Sequence, residues 1–362
     1  MGITGKHVLV VSPEPWEGVQ ISKHAVALAL VKAGNTVCFW GPPDPTERRM
    51  RLSHDKGVEI VHYHHWLRGV NRLPRVVRDL YYARSIRRIE RLAGRPFDLI
   101  WCFDTTRMQE FPPLRAWRIL HLVDYDTLDT GHGLIGSADL VLTVSEAISA
   151  HALATAPHAR VHLVGHALDD RWLAGTQADR RPTVPPRTAA YAGALATEYI
   201  DWEMLSTVVL RHPEIHFHFY GPYEAEYPSA GFQAIRNAPH VTLHGLMSKE
   251  ELVPAIRAAD ILVYCYRAYS LDQKVATSHK VLEYLSTGNV VVGSYQQTLA
   301  EQAELLLMAR AREDFPVLFD RACNEHAQLN TPAMRAARIA FARSRTMPQL
   351  LDRIGDLLAE LP

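Results

Sequence analysis

The feature that most constrains this chain is an alternation. Short runs rich in valine, isoleucine, leucine and aromatic residues are separated repeatedly by amphipathic stretches of helical length. Strands that alternate with helices pair in parallel, because a helical crossover is what carries the chain back to begin the next parallel strand. The first half offers seven strand candidates, at 7–11, 36–40, 58–62, 98–103, 119–123, 139–144 and 160–164. The pattern then stops. The segment 169–187 ends in RRPTVPPR, whose three prolines fit neither a helix interior nor a central strand. Alternation restarts with strands at 188–193, 215–221, 241–245, 260–266 and 289–294, and two helical patterns, MRAARIAFARS and LLDRIGDLLAEL, close the chain. The expected fold class is α/β: two Rossmann-like, doubly wound domains over 1–168 and 188–345, joined by a linker at 169–187. The C-terminal helices are expected to cross back, with 346–362 packing on the first domain. Ligands of such folds bind beyond the carboxyl ends of the strands, so the domains are expected to face a central cleft.

Charge removes some functional classes. The 362 residues carry 39 basic and 39 acidic side chains, so nothing in the overall balance draws the chain to nucleic acid. The longest apolar run, AVALALV at 25–31, is far short of the roughly 18–20 residues that span a bilayer. The opening MGITGKHVLVVSPEPW lacks the architecture of a secretory signal, and the expectation is a cytoplasmic chain. Cys38, Cys102, Cys265 and Cys323 are widely separated, with no Cys-x-x-Cys pair, and read as free thiols. One segment breaks the neutrality. Residues 64–95 hold nine arginines against Asp79 and Glu90, with Trp66, Tyr81 and Tyr82 interleaved. A helix carrying Arg68, Arg72, Arg75, Arg78, Arg84, Arg87, Arg88 and Arg91 either dresses a solvated face or docks on anionic headgroups at the inner face of a membrane.

Most short motifs carry little. Gly131-His-Gly133-Leu-Ile-Gly136 matches the dinucleotide fingerprint but precedes a strand instead of opening a long helix, and no Walker A loop occurs. Asp124-Tyr125-Asp126 follows the strand ILHLV, where paired carboxylates chelate a divalent ion or simply cap and face solvent. His62, His64 and His65, and His216 with His218, lack further convergent metal ligands in the sequence and read as polar faces. The informative stretch is TSHKVLEYLSTGNVVVGSY at 277–295. A helix beginning near Ser278 and His279 offers free amides, its positive dipole end and Lys280 to a diphosphate, while Glu283 can accept from both hydroxyls of a ribose. Gly288 then ends the helix before an apolar strand. That set suits a nucleoside diphosphate.

With its surroundings, this stretch resembles the nucleotide-sugar element of GT-B fold glycosyltransferases of the family 4-like, polysaccharide-assembly type. Lys280, Glu283, Tyr284, Leu285, Gly288, Val290 and Val291 stand at its marked positions. YAGALATEYIDWEML, FHFYGP, VTLHGLMSKEEL and AADILVYCYR follow the family's order, and VSPEPWEGVQISKHAVALALVKAG and LTVSEAI match the first domain more loosely. The resemblance implies an enzyme that moves a sugar from a nucleoside diphosphate, UDP before GDP, to a hydroxyl of a glycan or lipid-linked glycan during surface polysaccharide synthesis. It implies that Gly193 lets backbone approach the diphosphate, that His244 to Leu246, including Gly245, line the base pocket, and that Tyr264 or Tyr266 lies near the nucleotide. Trp16 and Gly18 would belong to an acceptor or donor loop. No cofactor is implied, and a metal should be dispensable because Lys280 and the helix dipole stabilise the leaving diphosphate.

The chain departs from the family where retaining members carry a first glutamate, since position 275 is valine. An inverting enzyme needs a general base in the first domain, with Asp124 the first candidate, Asp126 the second and Asp104 the third. The alternatives are a metal-dependent transferase using Asp124 and Asp126, a non-catalytic bilobed protein that binds a nucleotide or sugar, and a nucleotide-sugar epimerase.

Overall fold

The computed structural model describes residues 2–361, apart from 19, 65–66, 68, 125–130, 174–183, 268–278 and the side chain of 71. The chain divides into two compact units, Met1–Gly165 with Met347–Pro362, and His166–Thr346.

The first unit is built on an eight-stranded sheet of β1 (His7–Val11), β2 (Thr36–Trp40), β3 (Arg51–Asp55), β4 (Val58–His62), β5 (Leu99–Cys102), β6 (Trp117–Leu122), β7 (Leu140–Thr143) and β8 (Val161–Leu163). Their order is β3-β4-β2-β1-β5-β6-β7-β8. Every pairing is parallel except β3 with β4. The connecting helices are α1 (Ser22–Lys32), α2 (Arg75–Ala93), α3 (His132–Ser137) and α4 (Glu146–Thr155). The sequence reading left β3 out, because RLSHD has no apolar alternation. A two-residue turn makes it a strand: Lys56 and Gly57 both have positive φ, +50° and +81°, which matches the twist of a tight hairpin onto β4.

The second unit has six parallel strands, β9 (Thr188–Ala192), β10 (His216–Tyr220), β11 (Val241–Gly245), β12 (Ile261–Tyr264), β13 (Val290–Ser294) and β14 (Leu307–Ala309), in the order β11-β10-β9-β12-β13-β14. Its helices are α5 (Trp202–Arg211), α6 (Ala230–Arg236), α7 (Lys249–Ala258), α8 (His279–Ser286), α9 (Asp314–Asn324), α10 (His326–Leu329) and α11 (Pro332–Arg343). In both sheets the chain lays strands outward in one direction, then returns to the first strand and continues in the other. The reversals lie between β1 and β5 and between β9 and β12, and each is a Rossmann-type switch point. Strands β1, β5, β7, β12 and β13 are buried along their whole length, as expected where helices cover both faces.

Of the two closing helices, α11 packs against α8 within the second unit, while the last, α12 (Met347–Ala359), lies against α1 in the first. Gly288 ends α8 at φ +75°, and a Cβ there would press on Ile339 and Arg335 of α11. The segment read as the start of the linker is structured. Leu168 N–H donates to the Arg345 carbonyl at 2.7 Å, Asp169 caps a short turn at Asp170–Trp172, and the Trp172 side chain is fully buried. Residues 166–173 and 184–187 therefore belong to the second unit, and 174–183 lie outside the described residues. No described helix is long and apolar enough to cross a membrane.

Candidate functional site

In the second unit, polar side chains gather at the switch between β9 and β12. Three successive strand ends carry glycines in conformations that favour glycine: Gly193 at φ +152°, Gly221 at +144° and Gly245 at +74°. Gly193 N–H donates to the Tyr220 carbonyl and Gly221 N–H to the Gly245 carbonyl, both at 2.8 Å. A Cβ at Gly221 would overlap the Gly193 carbonyl, so these backbones touch.

Helix α8 places its chemistry over these ends. Lys280 is buried, and its Nζ donates to the Tyr191 hydroxyl at 2.9 Å and the Tyr266 hydroxyl at 2.8 Å, with the ammonium 4.1 Å from the Tyr191 ring centroid. Desolvation raises the Tyr191 hydroxyl well above its ordinary range, which keeps it neutral beside the ammonium. A Cβ at Gly193 would overlap Lys280 Nζ. The glycine therefore makes room for the lysine. Tyr284, one turn further along α8, is fully buried and accepts the Ala192 N–H at 2.8 Å, pinning the helix to the end of β9.

Glu283 does not pair with Lys280. Its Oε1 accepts from Lys249 Nζ at 2.7 Å, and Lys249 opens α7 directly after the Ser248 cap. Burial alone would raise the Glu283 carboxyl, but the Lys249 ammonium and His279 outweigh it and hold the group below the usual carboxylate range. The Lys249 ammonium also lies 5.5 Å from the Trp172 ring centroid. Next to it, Asp169 holds Arg171 through both oxygens, and those hydrogen bonds override burial and keep Asp169 ionised. Lys249, Trp172, Asp169, Arg171 and Tyr191 were not singled out from sequence. Only the apposition of α7, α8 and the segment after Leu168 brings most of them to Glu283.

Other expected contacts are placed differently. Tyr264 is a core residue: it has no exposed surface, and its ring fills the space where a side chain on Gly293 would sit. Tyr266, the alternative, does reach Lys280. Leu246 is exposed, while the Gly245 carbonyl is taken by Gly221. His279 is half-buried, with its ring 6.0 Å from that of His166. Ser278 lies outside the described residues. His218 Nδ1 and His244 Nε2 are 3.0 Å apart, and His216 Nε2 is 2.8 Å from the Thr242 hydroxyl, so these rings serve one another and their neighbours.

In the first unit, Asp124 follows β6 with a half-exposed carboxylate, 3.9 Å from Lys23 Nζ, and Lys23 also pairs with Glu14 at 2.8 Å. Asp126 lies outside the described residues. Asp104 is corrected from candidate base to structural anion. It is buried, accepts the N–H groups of Thr106 and Arg107, and pairs with the Arg107 guanidinium, which donates to the Trp40 and Ser12 carbonyls. Trp16 is likewise corrected. It is buried, its indole N–H donates to Asp55 at 2.8 Å, and its ring packs on Phe39 and His24, so it anchors a turn instead of offering a face to a ligand. Gly18 is exposed at φ +98°. Gly133 of the fingerprint-like stretch lies in α3 against the Gln109 carbonyl and is a packing residue.

Helix α2 exposes one stripe. Val76 and Leu80 are 78% and 62% exposed, and the same face continues through Arg84, Arg87 and Arg91. Arg84, Arg87, Arg88 and Arg91 have no acidic partner among the described residues, whereas Arg75 pairs with Glu110 and Asp79. Arg48, Arg49, Arg84, Arg88 and Arg91 surround a basin of about 800 Å³ beside Tyr63 and Tyr81. Arg68 and Trp66 lie outside the described residues, and Arg72 and Arg78 sit in the first turns of the segment.

No protein-family model matches the chain, and no curated protein does. Solved structures do match over nearly the whole length. Sucrose-phosphate synthase from Thermosynechococcus elongatus superposes with a TM-score of 0.67 at 14% identity, covering 98% of this chain and 99% of its own. HepE from Anabaena, solved in complex with UDP and glucose, gives 0.69 at 14% identity, with 98% and 100% covered. Trehalose-6-phosphate synthase from E. coli, bound with UDP-2-fluoro glucose, gives 0.69 at 12%, with 98% and 99% covered. The chain shares their fold, the GT-B architecture of two Rossmann-like domains.

Proposed function

We propose that this protein is a glycosyltransferase that takes a sugar from a nucleoside diphosphate, UDP in preference to GDP, and passes it to a hydroxyl of a glycan or lipid-linked glycan. The observation that carries the reading is the cluster at the β9–β12 switch, where buried Lys280, the Lys249–Glu283 pair and three glycine strand ends converge. Two ammonium groups suit a diphosphate, and a carboxylate held ionised suits vicinal ribose hydroxyls. Donor binding would turn Glu283 from Lys249 toward the ribose, and both lysines would offset charge on the leaving diphosphate. UDP and a UDP-sugar analogue in two solved proteins of this fold support the preference for UDP.

In the reaction the acceptor oxygen forms a bond to the anomeric carbon, the bond from that carbon to the phosphate oxygen breaks, and the nucleoside diphosphate leaves with the electron pair. Asp124, accessible at the end of β6 and 3.9 Å from Lys23 Nζ, would take the acceptor's proton. A role in surface polysaccharide synthesis and peripheral attachment to an anionic membrane through the α2 stripe belong to the same reading.

Calorimetric titration with UDP, GDP and ADP, with and without EDTA, tests it on the wild type, Glu283→Ala and Lys280→Met. One nucleotide should bind without metal and be lost in both variants. Asp124→Asn should keep that binding and lose about 10²–10⁴-fold in turnover. Absence of binding to all three nucleotides in the folded wild type would sink the proposal and favour a sensor of another ligand.

A further inference from the structure

The amino-terminal half of the first sheet, away from the strand ends that form the switch, holds a buried cluster that the transfer reaction does not use. His7 opens β1, Cys38 lies in β2 and Glu59 in β4. These strands are neighbours in the sheet. Cys38 is in register with Glu59 and with Leu9, and Leu9 shares a face with His7, so the three side chains form a row across one face. His7 and Cys38 are fully buried, and a nitrogen, a sulfur and a carboxylate oxygen, one from each residue, all lie within 4.8 Å of one another.

Hydrogen-bond accounting shows what the row lacks. His7 Nδ1 lies 3.0 Å from the Pro96 carbonyl, which can only accept, so the ring proton sits on Nδ1 and the Nε2 lone pair points inward. Cys38 Sγ lies 3.6 Å from that Nε2 and 2.8 Å from Glu59 Oε2. The single S–H can serve the carboxylate or the imidazole but not both. Three electron-pair donors thus converge on one proton, in a place where an unmatched lone pair carries a desolvation cost.

We propose that His7, Cys38 and Glu59 form a binding site for a zinc-like divalent cation that ties β1, β2 and β4 together. Thiolate, imidazole and carboxylate are the donor set of this borderline cation, and a histidine whose second nitrogen donates to a backbone carbonyl is already oriented as a ligand. A tetrahedral zinc with bonds of about 2.1 Å to nitrogen and 2.3 Å to sulfur separates those two atoms by roughly 3.6 Å. The observed 3.6 Å needs no adjustment. Glu59 must withdraw slightly from the sulfur, and its position at the edge of the core permits this.

Binding replaces the S–H bond by a sulfur–metal bond and releases one proton, leaving two ligand charges against two on the cation. The Asp98 carboxylate, which accepts the His7 backbone N–H at 2.8 Å, adds favourable charge, while burial and the neighbouring Glu59 push the Cys38 thiol well up, so the cation must displace its proton, and the exposed Arg95 opposes the cation. His54 Nε2 lies 3.6 Å from Glu59 Oε1, at the end of the row that reaches solvent.

The test is cobalt(II) titration of chelator-treated full-length protein, followed through the thiolate-to-cobalt charge-transfer band and the ligand-field bands of four-coordinate cobalt. One equivalent should bind, and zinc should displace it. Cys38→Ala, which retains Cys102, Cys265 and Cys323, should abolish the charge-transfer band. Glu59→Gln, a conservative change at the half-buried end of the row, should weaken binding by at least the roughly tenfold that losing even an outer-shell partner costs, with unchanged circular dichroism. Failure of the wild type to show a sulfur charge-transfer band, or its persistence in Cys38→Ala, overturns the site. Should Cys38→Ala not fold, an unchanged cobalt affinity in Glu59→Gln overturns it equally.

Discussion

Lys249 and Glu283 lie 34 residues apart in sequence and 2.7 Å apart in space, and neither has much contact with water. A buried pair of this kind is held less by its net energy than by the penalty for breaking it. Lys249→Met should leave the Glu283 carboxylate uncompensated and lower the stability of the second unit by about 3–5 kcal/mol, and adding Glu283→Gln should restore most of that loss. Urea denaturation of the two single variants and the double variant measures this directly, and additive losses would show that the pair is not coupled. At this scale the sequence was partly legible. The stretch around Lys280 and Glu283 singled out both residues, with Lys280 expected to meet a diphosphate and Glu283 a ribose, but nothing local named the side chains that hold them. The actual partners, two tyrosine hydroxyls for Lys280 and Lys249 for Glu283, are set by which helix lies beside which. Trp16, Asp104 and Tyr264 were misplaced for the same reason, since a residue type reports what a side chain can do and not whether it can reach a ligand.

Strand periodicity was the most readable property at the level of elements. β1, β2, β4 and β11 have the bounds that the apolar runs predicted, although burial runs from complete in β1 to partial in the edge strand β11. β3 and β14 escaped. The first is a polar edge strand defined by its turn, and the second is only three residues long. Helix α2 carries a consequence of its own. Its exposed stripe joins Val76 and Leu80 to Arg84, Arg87 and Arg91, a pattern that suits an apolar insertion flanked by headgroup contacts. Purified protein should co-sediment with vesicles containing anionic lipid and not with neutral ones, and replacing Arg84, Arg87, Arg88 and Arg91 with glutamine should abolish it. Equal binding to neutral vesicles would remove the electrostatic argument.

Over the whole chain, several imidazoles are held neutral by their surroundings. Desolvation, reinforced by neighbouring His216 and His244, lowers His218 to about 4, and burial lowers His24, His244 and His326 as well. An unfolded chain protonates these groups near pH 6.5 while the folded one resists, so the unfolded state binds more protons on acidification. The stability they contribute is present above about pH 6.5 and is lost as pH falls toward about 4. Thermal melts between about pH 7 and pH 5 should shift downward, and His218→Gln should flatten the slope; an unchanged slope would mean that the ring is already protonated in the native state. The sequence by itself determined the class of fold, the doubling of the Rossmann unit and the helix that carries Lys280 and Glu283, because periodicity, prolines and glycines act locally along the chain. Tertiary structure alone decided that Leu168 to Leu173 joins the second unit and which distant groups neutralise each buried charge. Those outcomes depend on packing and desolvation between segments far apart in sequence, which no local pattern encodes.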